Sequence, residues 1–546
     1  MAVHSDSGTM VTPRYRSQTL AHLGLVAGRY DELEIGTRID QVIPQDLDKR
    51  QVSLGQAVKA MVLNGLGFVN QRLYLVPQFF ADKPTPRLLG PGICPEHLND
   101  DVLGRALDKL YAYGVTPLYL WLAPHAVQRL GVKVASVHAD ITSFHVDGQY
   151  NSSTGAAMGV VHITPGYSRD HRPDLNQVAL ELIVERQAGL PLLMQPLDGN
   201  AEDKTTLRTT LQAYLEQLQT TYQPDYVVAD SALYTAQTLP VLTGVYWITR
   251  VPATLKEAHQ LLRELDPTTL PSLDEQTRYH TLTTTYAGIT QRWVVVYSDA
   301  ARQRAQHTVR RQCLKASETD LHAFTALCQQ AFACEADARQ ALAAFQHRLT
   351  LTTVEDTVIV AVPHYHRRGR PKAGQPPDRF SYHITGQLAS RPAEYTTRLN
   401  QHSGFILATN QVDQTALPEQ ELLQTYKAQQ QAERGFRFLK DPLFLASSLF
   451  LKSPQRIMAL LFVMTLCLLV YAALEYRLRE ALKRQSQTFP DQKGRLTQRP
   501  TTRWVFQYFV SIHLLIVETQ ELVLNLNEHH CTVLAVLGER YQAFYS

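Results

Sequence analysis

Alternating apolar and polar positions between residues 134 and 250 predict a set of strands and helices. β-Branched and aromatic residues dominate the strand segments, because their side chains pack well on a pleated surface. A longer stretch near Asp203–Thr221 predicts a helix, and a short helix is expected directly after Asp230. The predicted strands are Val134–Val146, Gly159–Ile163, Val178–Val184, Tyr226–Ala229 and Tyr246–Arg250. This order predicts an α/β fold with a mixed sheet.

The first part of the chain has a helical pattern. Apolar residues recur at helical spacing from about Gln18 to Leu122, with Ser53 placed to cap one helix. We therefore expect a small helical N-terminal domain over residues 1–125, followed by the first part of the α/β domain over residues 134–251. One interpretation of such a domain is that it serves only for packing or dimerisation.

A long interval follows before the α/β pattern resumes. Residues 252–400 are far more than a connecting loop requires, which predicts a large inserted domain. The interval contains a strand-like segment at Arg292–Tyr297 and a helical stretch at Ser317–Arg348. The remaining predicted parts are a second portion of the α/β domain at 401–485 and a C-terminal segment at 486–546, for DNA contact or dimerisation.

One apolar run is long enough to raise the question of a membrane. Ile457–Leu474 is almost uninterrupted by polar groups, with Thr465 and Tyr471 as the exceptions. A membrane span needs about 20 such residues, so this run barely reaches that length. We interpret it as a helix buried on all sides in the α/β domain, and we expect no membrane association.

Composition adds two constraints. The 53 Lys and Arg residues against 50 Asp and Glu give a net charge of +3, so any DNA-binding surface must be local. The 6 cysteines form no C-x-x-C pair, and no signal peptide is recognised at the start of the sequence. This pattern favours free thiols in the reducing cytoplasm.

Two aspartates interrupt or end predicted strands. Asp140 lies within the strand Val134–Val146, where burying a lone carboxylate is costly unless something pairs with it. Asp230 follows the apolar run Tyr226–Ala229, at the carboxyl end of a strand, where active sites of open α/β sheets gather. Asp230 is equally suited to capping the helix expected after it. The pattern alone leaves both interpretations open.

A third acid lies on a predicted helix further along the chain. Four residues share one stripe of this helix, because they are spaced by three, four and seven positions. They are Tyr426, Gln429, Glu433 and Lys440. Glu and Lys at this spacing also occur on many solvated helices. The helix therefore indicates an active site only in combination with the two upstream aspartates.

The three acids and their surroundings resemble the DDE transposases of bacterial insertion sequences, which carry a Y-x2-R-x3-E-x6-K signature. Gln429 stands where that signature has arginine. The resemblance extends over residues 134–480 and, less closely, over the first 125. The matching blocks are Asp140-x-Thr142, Asp230-x-Ala232-x-Tyr234 and Tyr426-x2-Gln429-x3-Glu433-x6-Lys440.

This resemblance implies an RNase H-like fold and an active site that cuts and joins DNA. It also implies that the helical domain binds the ends of the element and that the inserted domain is largely β. The implied catalytic residues and metal ligands are Asp140, Asp230 and Glu433. The implied DNA-contacting residues near the signature are Tyr426, Arg437 and Lys440.

The chemistry of DNA cleavage explains why acids are needed. Negative charge builds on the attacking and leaving oxygens, and two Mg²⁺ ions about 3.5–4 Å apart can stabilise both. Mg²⁺ prefers carboxylate oxygens and retains several waters, so three acids suffice for two ions. We expect two Mg²⁺ ions as cofactors, with Mn²⁺ as a substitute.

Two basic segments are candidate DNA contacts. The first surrounds a Gly-Arg-Pro sequence that resembles an AT-hook, a minor-groove motif; a solvated loop is the alternative. Its basic residues are Arg367, Arg368, Arg370 and Lys372. The second is Glu475–Arg503, with eight Lys or Arg residues against three acids.

The expected function is that of a transposase that cleaves and transfers DNA strands at the ends of an insertion sequence. Its expected partners are double-stranded DNA, as terminal inverted repeats and target, and a second copy in a homodimer. The expected location is the cytoplasm, on the nucleoid. Two alternatives remain open: a domesticated RNase H-like nuclease that cuts without inserting, and a non-catalytic DNA-binding protein.

Overall fold

The chain forms two compact units. The first unit comprises residues 1–248 and 423–546, and the second comprises residues 249–422. The computed structural model describes residues 3–4, 10–11, 15–46, 50–68, 73–146, 150, 159–166, 174–366, 374–441 and 451–546.

Helices and strands of the described residues are numbered along the chain. The α-helices are α1 (Leu23–Glu32), α2 (Ile35–Val42), α3 (Leu54–Leu66), α4 (Val76–Phe80), α5 (Thr85–Leu89), α6 (Asp100–Tyr113), α7 (Val115–Leu130), α8 (Asp203–Tyr222), α9 (Lys256–Glu264), α10 (Asp299–Gln329), α11 (Glu335–Arg348), α12 (Pro392–Ser403), α13 (Glu419–Lys427), α14 (Gln430–Leu439), α15 (Pro454–Arg484), α16 (Thr502–Tyr508), α17 (Glu528–Leu537) and α18 (Glu539–Gln542). The strands are β1 (Val3–His4), β2 (Met10–Val11), β3 (Tyr15–Thr19), β4 (Ser136–His145), β5 (Thr164–Pro165), β6 (Asn176–Glu185), β7 (Pro191–Leu197), β8 (Tyr226–Ala229), β9 (Tyr246–Arg250), β10 (Ser272–Asp274), β11 (Thr277–Tyr286), β12 (Ile289–Ser298), β13 (Thr352–His364), β14 (Arg379–Ser390), β15 (Gly404–Thr409), β16 (Phe489–Pro490), β17 (Leu496–Thr497), β18 (His513–Val517) and β19 (Gln520–Leu524).

Strand β4 lies at the centre of the sheet in the first unit. It pairs antiparallel with β6 on one side and parallel with β8 on the other, and β6 pairs antiparallel with β7. Helix α8 connects β7 to β8, and β9 lies beside β8. Three antiparallel strands followed by parallel additions through a helix are the RNase H-like arrangement. This topology, with a helical region before it, confirms the predicted fold class.

The strand predicted at residues 159–163 is wrong, and the observed strand β7 was not predicted. Residues 159–163 form no strand: His162 donates its N–H to Asp198 at 2.7 Å and accepts from Gly199 N–H at 2.9 Å, so its backbone bonds to a turn. The third antiparallel strand is instead β7, which contains Pro191 and Pro196. Proline removes a ladder donor and argues against a strand in the sequence, yet it is tolerated at a sheet edge.

The apolar run predicted to be buried forms most of α15. This helix is long and apolar enough to span a membrane, but 94% of its most apolar stretch is buried inside the first unit. It packs against α1, α3, α6 and α7 and against β7, and Arg456 near its start forms a bidentate ion pair with Asp108 of α6. The prediction of a buried helix is therefore confirmed.

The two ends of the chain fold together around α15. Strand β3 pairs with β18, which pairs with β19, so N-terminal and C-terminal segments share a sheet. The Tyr541 hydroxyl donates to Glu32 of α1, and Tyr545 donates to the carbonyl of Ala21. Ser53 caps α3 in a capping box with Gln56, as its position in the sequence predicts. The segments predicted as separate domains at 1–125 and 486–546 thus lie in one unit.

The second unit combines a sheet with long helices. Strands β10, β11, β12 and β15 form the sheet in that order. Helices α10 and α11 pack on the β13–β14 hairpin through apolar residues that include Phe324, Phe345 and Ile384. The expectation of a largely β insertion is wrong, because the Ala-, Gln- and Arg-rich sequence between residues 299 and 348 consists of strong helix formers.

Candidate active site

Asp140 lies on β4, and Asp230 directly follows the end of β8, the parallel strand beside it. The register pairs Ala139 of β4 with Ala229 of β8, and each aspartate directly follows its paired alanine. Neighbouring strands are about 4.8 Å apart. The sheet therefore brings these two predicted carboxylates to equivalent positions, where both can contact one small ion.

Each aspartate is half-buried and bonded locally. Asp140 accepts the N–H of Ile141 at 2.9 Å, and Asp230 accepts the N–H of Ala232 at 2.9 Å. The Asp230 contact forms an Asx turn, which offers the backbone an alternative to a helix. The predicted helix directly after Asp230 is therefore wrong: turns lead instead to a 3₁₀ helix at Leu239–Leu242.

A small cleft joins the two aspartates to a third. Asp140 and Asp230 line it together with Asp203, the first residue of α8, and Leu207 from the next turn of that helix. The positive end of the α8 dipole lies at this position and favours nearby carboxylates. The sequence marks Asp203 only as the start of a helix. Its place beside the two strand aspartates depends on the α8 crossover.

A buried glutamate lies behind this cleft. Glu181 of β6 is fully buried and accepts a hydrogen bond from the Thr210 hydroxyl of α8. Burial raises the pKa of the Glu181 carboxyl to about 7, with a smaller rise from the nearby charges of Asp203 and Asp140. Its Oε1 atom has no hydrogen-bond partner among the described residues. Glu181 therefore binds a proton more readily than an exposed glutamate would.

The predicted signature helix is divided into two. Helix α13 ends at Lys427 and α14 begins at Gln430, with Gln429 as its N-cap residue. Between them the hydrogen bonding changes to the 3₁₀ type, because Gln429 N–H donates to the carbonyl of Tyr426, three residues earlier, at 3.0 Å. The expectation of one helix with four residues on one stripe is therefore wrong at this turn.

Gln429 connects the start of α14 to β4. Its amide nitrogen donates to the carbonyl of Ala139 at 2.9 Å, and its Oε1 lies 3.2 Å from His138 Nδ1. The other ring nitrogen of His138 lies 3.0 Å from the Ser136 hydroxyl. Burial lowers the pKa of His138 to about 4, so the imidazole is neutral. An uncharged network thus fills the position where the related signature has arginine.

Helix α14 follows the face of β4 that carries Asp140. His138, Asp140 and Phe144 alternate onto one face of the strand. Gln429 contacts that face at His138, and the Lys440 ammonium lies 6.0 Å from the centre of the Phe144 ring. Glu433 is exposed one turn after Gln429. Because both ends of α14 contact this face, Glu433 lies along the same side of the sheet as Asp140.

Helix α14 in turn packs on the buried helix α15. A Cβ placed on Gly435 would lie 3.0 Å from Leu468, so the two helices approach closely there. The rings of Phe438 and Tyr471 lie 4.4 Å apart between centroids. The side of α14 opposite its exposed acid is thus held by α15.

The other predicted site residues differ in their exposure, and some lie outside the described part of the chain. In the described residues, no group of three Asp, Glu, His or Cys side chains is arranged to hold a metal ion. Tyr426 is half-buried on α13, and Arg437 is exposed in the last turn of α14. The basic loop residues lie outside the described part of the chain; they are Arg367, Arg368, Arg370 and Lys372.

Comparison with known proteins identifies a family over much of the chain. Residues 140–470 match the family described as Transposase DDE domain, and residues 15–124 match a domain of unknown function, DUF4277. Among curated proteins, none matches this sequence. A cryo-EM structure of the piggyBac transposase synaptic complex with hairpin DNA contains a similar chain, with 8% sequence identity, 90% of this chain and 79% of that chain covered, and a TM-score of 0.37.

The family match covers more than half of the chain. It begins at Asp140 and includes Asp230, Glu433 and Lys440, and it ends within α15. The chain therefore belongs to the DDE transposase family, and its function is DNA transposition.

Proposed function

We propose that this transposase cleaves and transfers DNA strands at the ends of an insertion sequence, with Asp140, Asp230 and Glu433 as its metal-binding acids. DDE transposases depend on divalent metal ions. Two Mg²⁺ ions, replaceable by Mn²⁺, are the proposed cofactors here. When bound, they would stabilise the charge that develops on the attacking and leaving oxygens of the phosphodiester.

The observation that carries this proposal is the register of β4 and β8. Pairing of Ala139 with Ala229 brings Asp140 and Asp230 together on a rigid sheet, which supports their role as shared ligands. Their hard oxygen donors suit Mg²⁺.

Glu433 completes the proposed set from helix α14. It is carried by α14, which Gln429 fixes to β4 and Leu468 supports from α15. Because both faces of α14 are held, the backbone that carries Glu433 is already ordered before a ligand binds. An exposed Glu433 is also accessible to DNA, which must reach the metal ligands for cleavage.

Further residues of the signature region would hold the DNA. Lys440 is proposed to contact a phosphate near the scissile bond, a point-charge contact suited to lysine. Tyr426 and Arg437 are proposed as additional DNA contacts. The proposed assembly is a homodimer on the terminal repeats, and the proposed location is the nucleoid in the cytoplasm.

Cleavage by purified variants tests the assignment of the acids. DNA taken from the two flanks of the gene is incubated with protein and Mg²⁺, and nicked and joined products are resolved on gels. Asp140→Asn, Asp230→Asn and Glu433→Gln should each abolish cleavage while DNA binding survives, because phosphate contacts dominate affinity. Glu216→Gln is the matched control, since Glu216 is exposed on α8 away from the cleft.

The products also separate the transposase from its main alternative. Joined products with wild-type protein support strand transfer, whereas cleavage without any joining would indicate a nuclease that cuts and does not insert. Full cleavage by one of the three acid variants would remove that residue from the site.

A further inference from the structure

A polar groove begins beside the signature helix in the first unit. It has a volume of about 470 Å³ and runs from the β6–β7 turn and α14 to the C-terminal half of α15. We call it the α15 groove. Its lining includes Gln187, Gln431, Arg479, Lys483, Gln498 and Arg499.

Amide and cationic donors dominate the α15 groove. Gln, Lys and Arg side chains are among those that contact the phosphates of DNA in complexes. Two acids also line it. Glu475 is already bonded through both oxygens, to Arg479 at 2.7 Å and to the N–H of Thr502 at 2.9 Å. Glu480 is exposed on the rim.

Three cations line the groove: Arg479, Lys483 and Arg499. The Arg479 guanidinium is held in place, because it also donates to the carbonyl of Pro500 at 2.9 Å. Its pKa is lowered first by burial and then by the charges of Arg499 and Arg434. Crowded cations repel one another, and an anion bound among them would relieve that repulsion.

The groove and the proposed active site share helix α14. Gln431, on its lining, lies two residues before Glu433 on α14, and Arg434 follows Glu433 directly. The exposed Arg434 lies between Gln431 and Glu433 around the helix, so DNA with its phosphodiester at Glu433 would reach the groove by passing over Arg434. The exposed Lys493 and Arg495 of the β16–β17 hairpin precede Arg499 and extend the basic character.

We propose that the α15 groove binds the sugar–phosphate backbone of duplex DNA adjacent to the scissile end, with Lys483 and Arg499 as principal phosphate contacts. This inference rests on the proposed function, since it places the same DNA that the acids would cut. It assigns a positioning role to the groove and no role in the chemical step.

The test measures the affinity for a labelled duplex from the gene flank across a salt series, with EDTA present so that cleavage does not intervene. Each phosphate contact contributes about 0.9 to the slope of log affinity against log salt. Lys483→Ala/Arg499→Ala should therefore reduce the slope by about 1.8. Between 50 and 200 mM salt, wild type should lose roughly 12-fold more affinity than the double variant.

Controls separate this effect from general loss of charge or fold. Arg105→Ala/Lys133→Ala removes two exposed cations of the same unit outside the groove and should leave the slope near wild type. Glu480→Gln removes an acid from the rim and should tighten binding. An unchanged slope in the groove variant, with wild type still binding and cutting DNA, overturns the groove inference alone. Absence of DNA binding by wild type overturns the inference and the proposed function together.

Discussion

Gln429 and His138 are hydrogen-bonded in the interior of the first unit, with Gln429 Oε1 3.2 Å from His138 Nδ1. Since an amide oxygen only accepts, the imidazole proton lies on Nδ1, and Nε2 accepts from Ser136. Arginine at position 429 would bring a buried charge and require the other tautomer. Gln429 is thus matched to the neutral His138 of this chain.

We expect Gln429→Ala to destabilise the protein by about 1–3 kcal/mol, because it leaves the buried Ala139 carbonyl and His138 Nδ1–H without partners. Urea unfolding measures this loss. Gln430→Ala is the matched control, because Gln430 is the exposed next residue. Equal stability of the two variants would contradict a connecting role for Gln429.

Glu181 makes stability depend on pH. Because its folded pKa is raised from 4.5 to about 7, its contribution to stability is fully present below 4.5 and is lost as pH rises through 7. Glu181→Gln should therefore be more stable than wild type at pH 8 by on the order of 3 kcal/mol, with little difference at pH 5. Unfolding in EDTA at both pH values measures the difference.

Glu185 provides the contrast to Glu181. It is also buried on β6, but it accepts the N–H groups of Gln187, Ala188 and Leu190. Glu185→Gln would place an amide donor against these donors and should destabilise the protein at pH 8. Stabilisation by both substitutions would indicate a general charge effect in place of the specific burial of Glu181.

Leu468 supports α14 from within α15, and it is almost fully buried. Leu468→Ala should cost about 2–5 kcal/mol of stability, as expected for a large-to-small change in a packed interior. Leu496→Ala is the control, since Leu496 is 66% exposed. A negligible cost at Leu468, together with recovery of the protein in carbonate-washed membranes, would contradict the burial of α15.

Divalent metal should stabilise the folded protein through its carboxylates. A ligand at 100 times its dissociation constant stabilises by about 2.7 kcal/mol, so millimolar Mg²⁺ should raise Tm. The triple variant Asp140→Asn/Asp230→Asn/Glu433→Gln should lose this increase. A scan with and without Mg²⁺ measures it, and an equal increase in wild type and triple variant would place the metal elsewhere.

The sequence predicts a feature where a short segment itself carries the evidence for it. Asp140 and Asp230 stand out because carboxylates interrupt or end apolar strands, and α15 because its apolar run has no polar face. The sequence did not predict β7, whose two prolines argue against a strand, or the break between α13 and α14. Asp203 was missed because its neighbours are distant in sequence and meet only through the α8 crossover.

The pairing of the terminal segments was also beyond sequence reasoning. The β3–β18 ladder joins residues near both ends of the chain, and no local pattern specifies such a partner. Contacts of this kind depend on tertiary packing, which overrides what short segments prefer by themselves.

Asp140, Asp230 and Glu433 are proposed to share one metal site. The most direct measurement is anomalous scattering from crystals of the protein with Mn²⁺ and a DNA duplex from the gene flank. We expect two Mn²⁺ peaks, held by the carboxylates of Asp140, Asp230 and Glu433. Mn²⁺ bound elsewhere, with none in contact with Asp140 and Asp230 while DNA occupies the site, would contradict it.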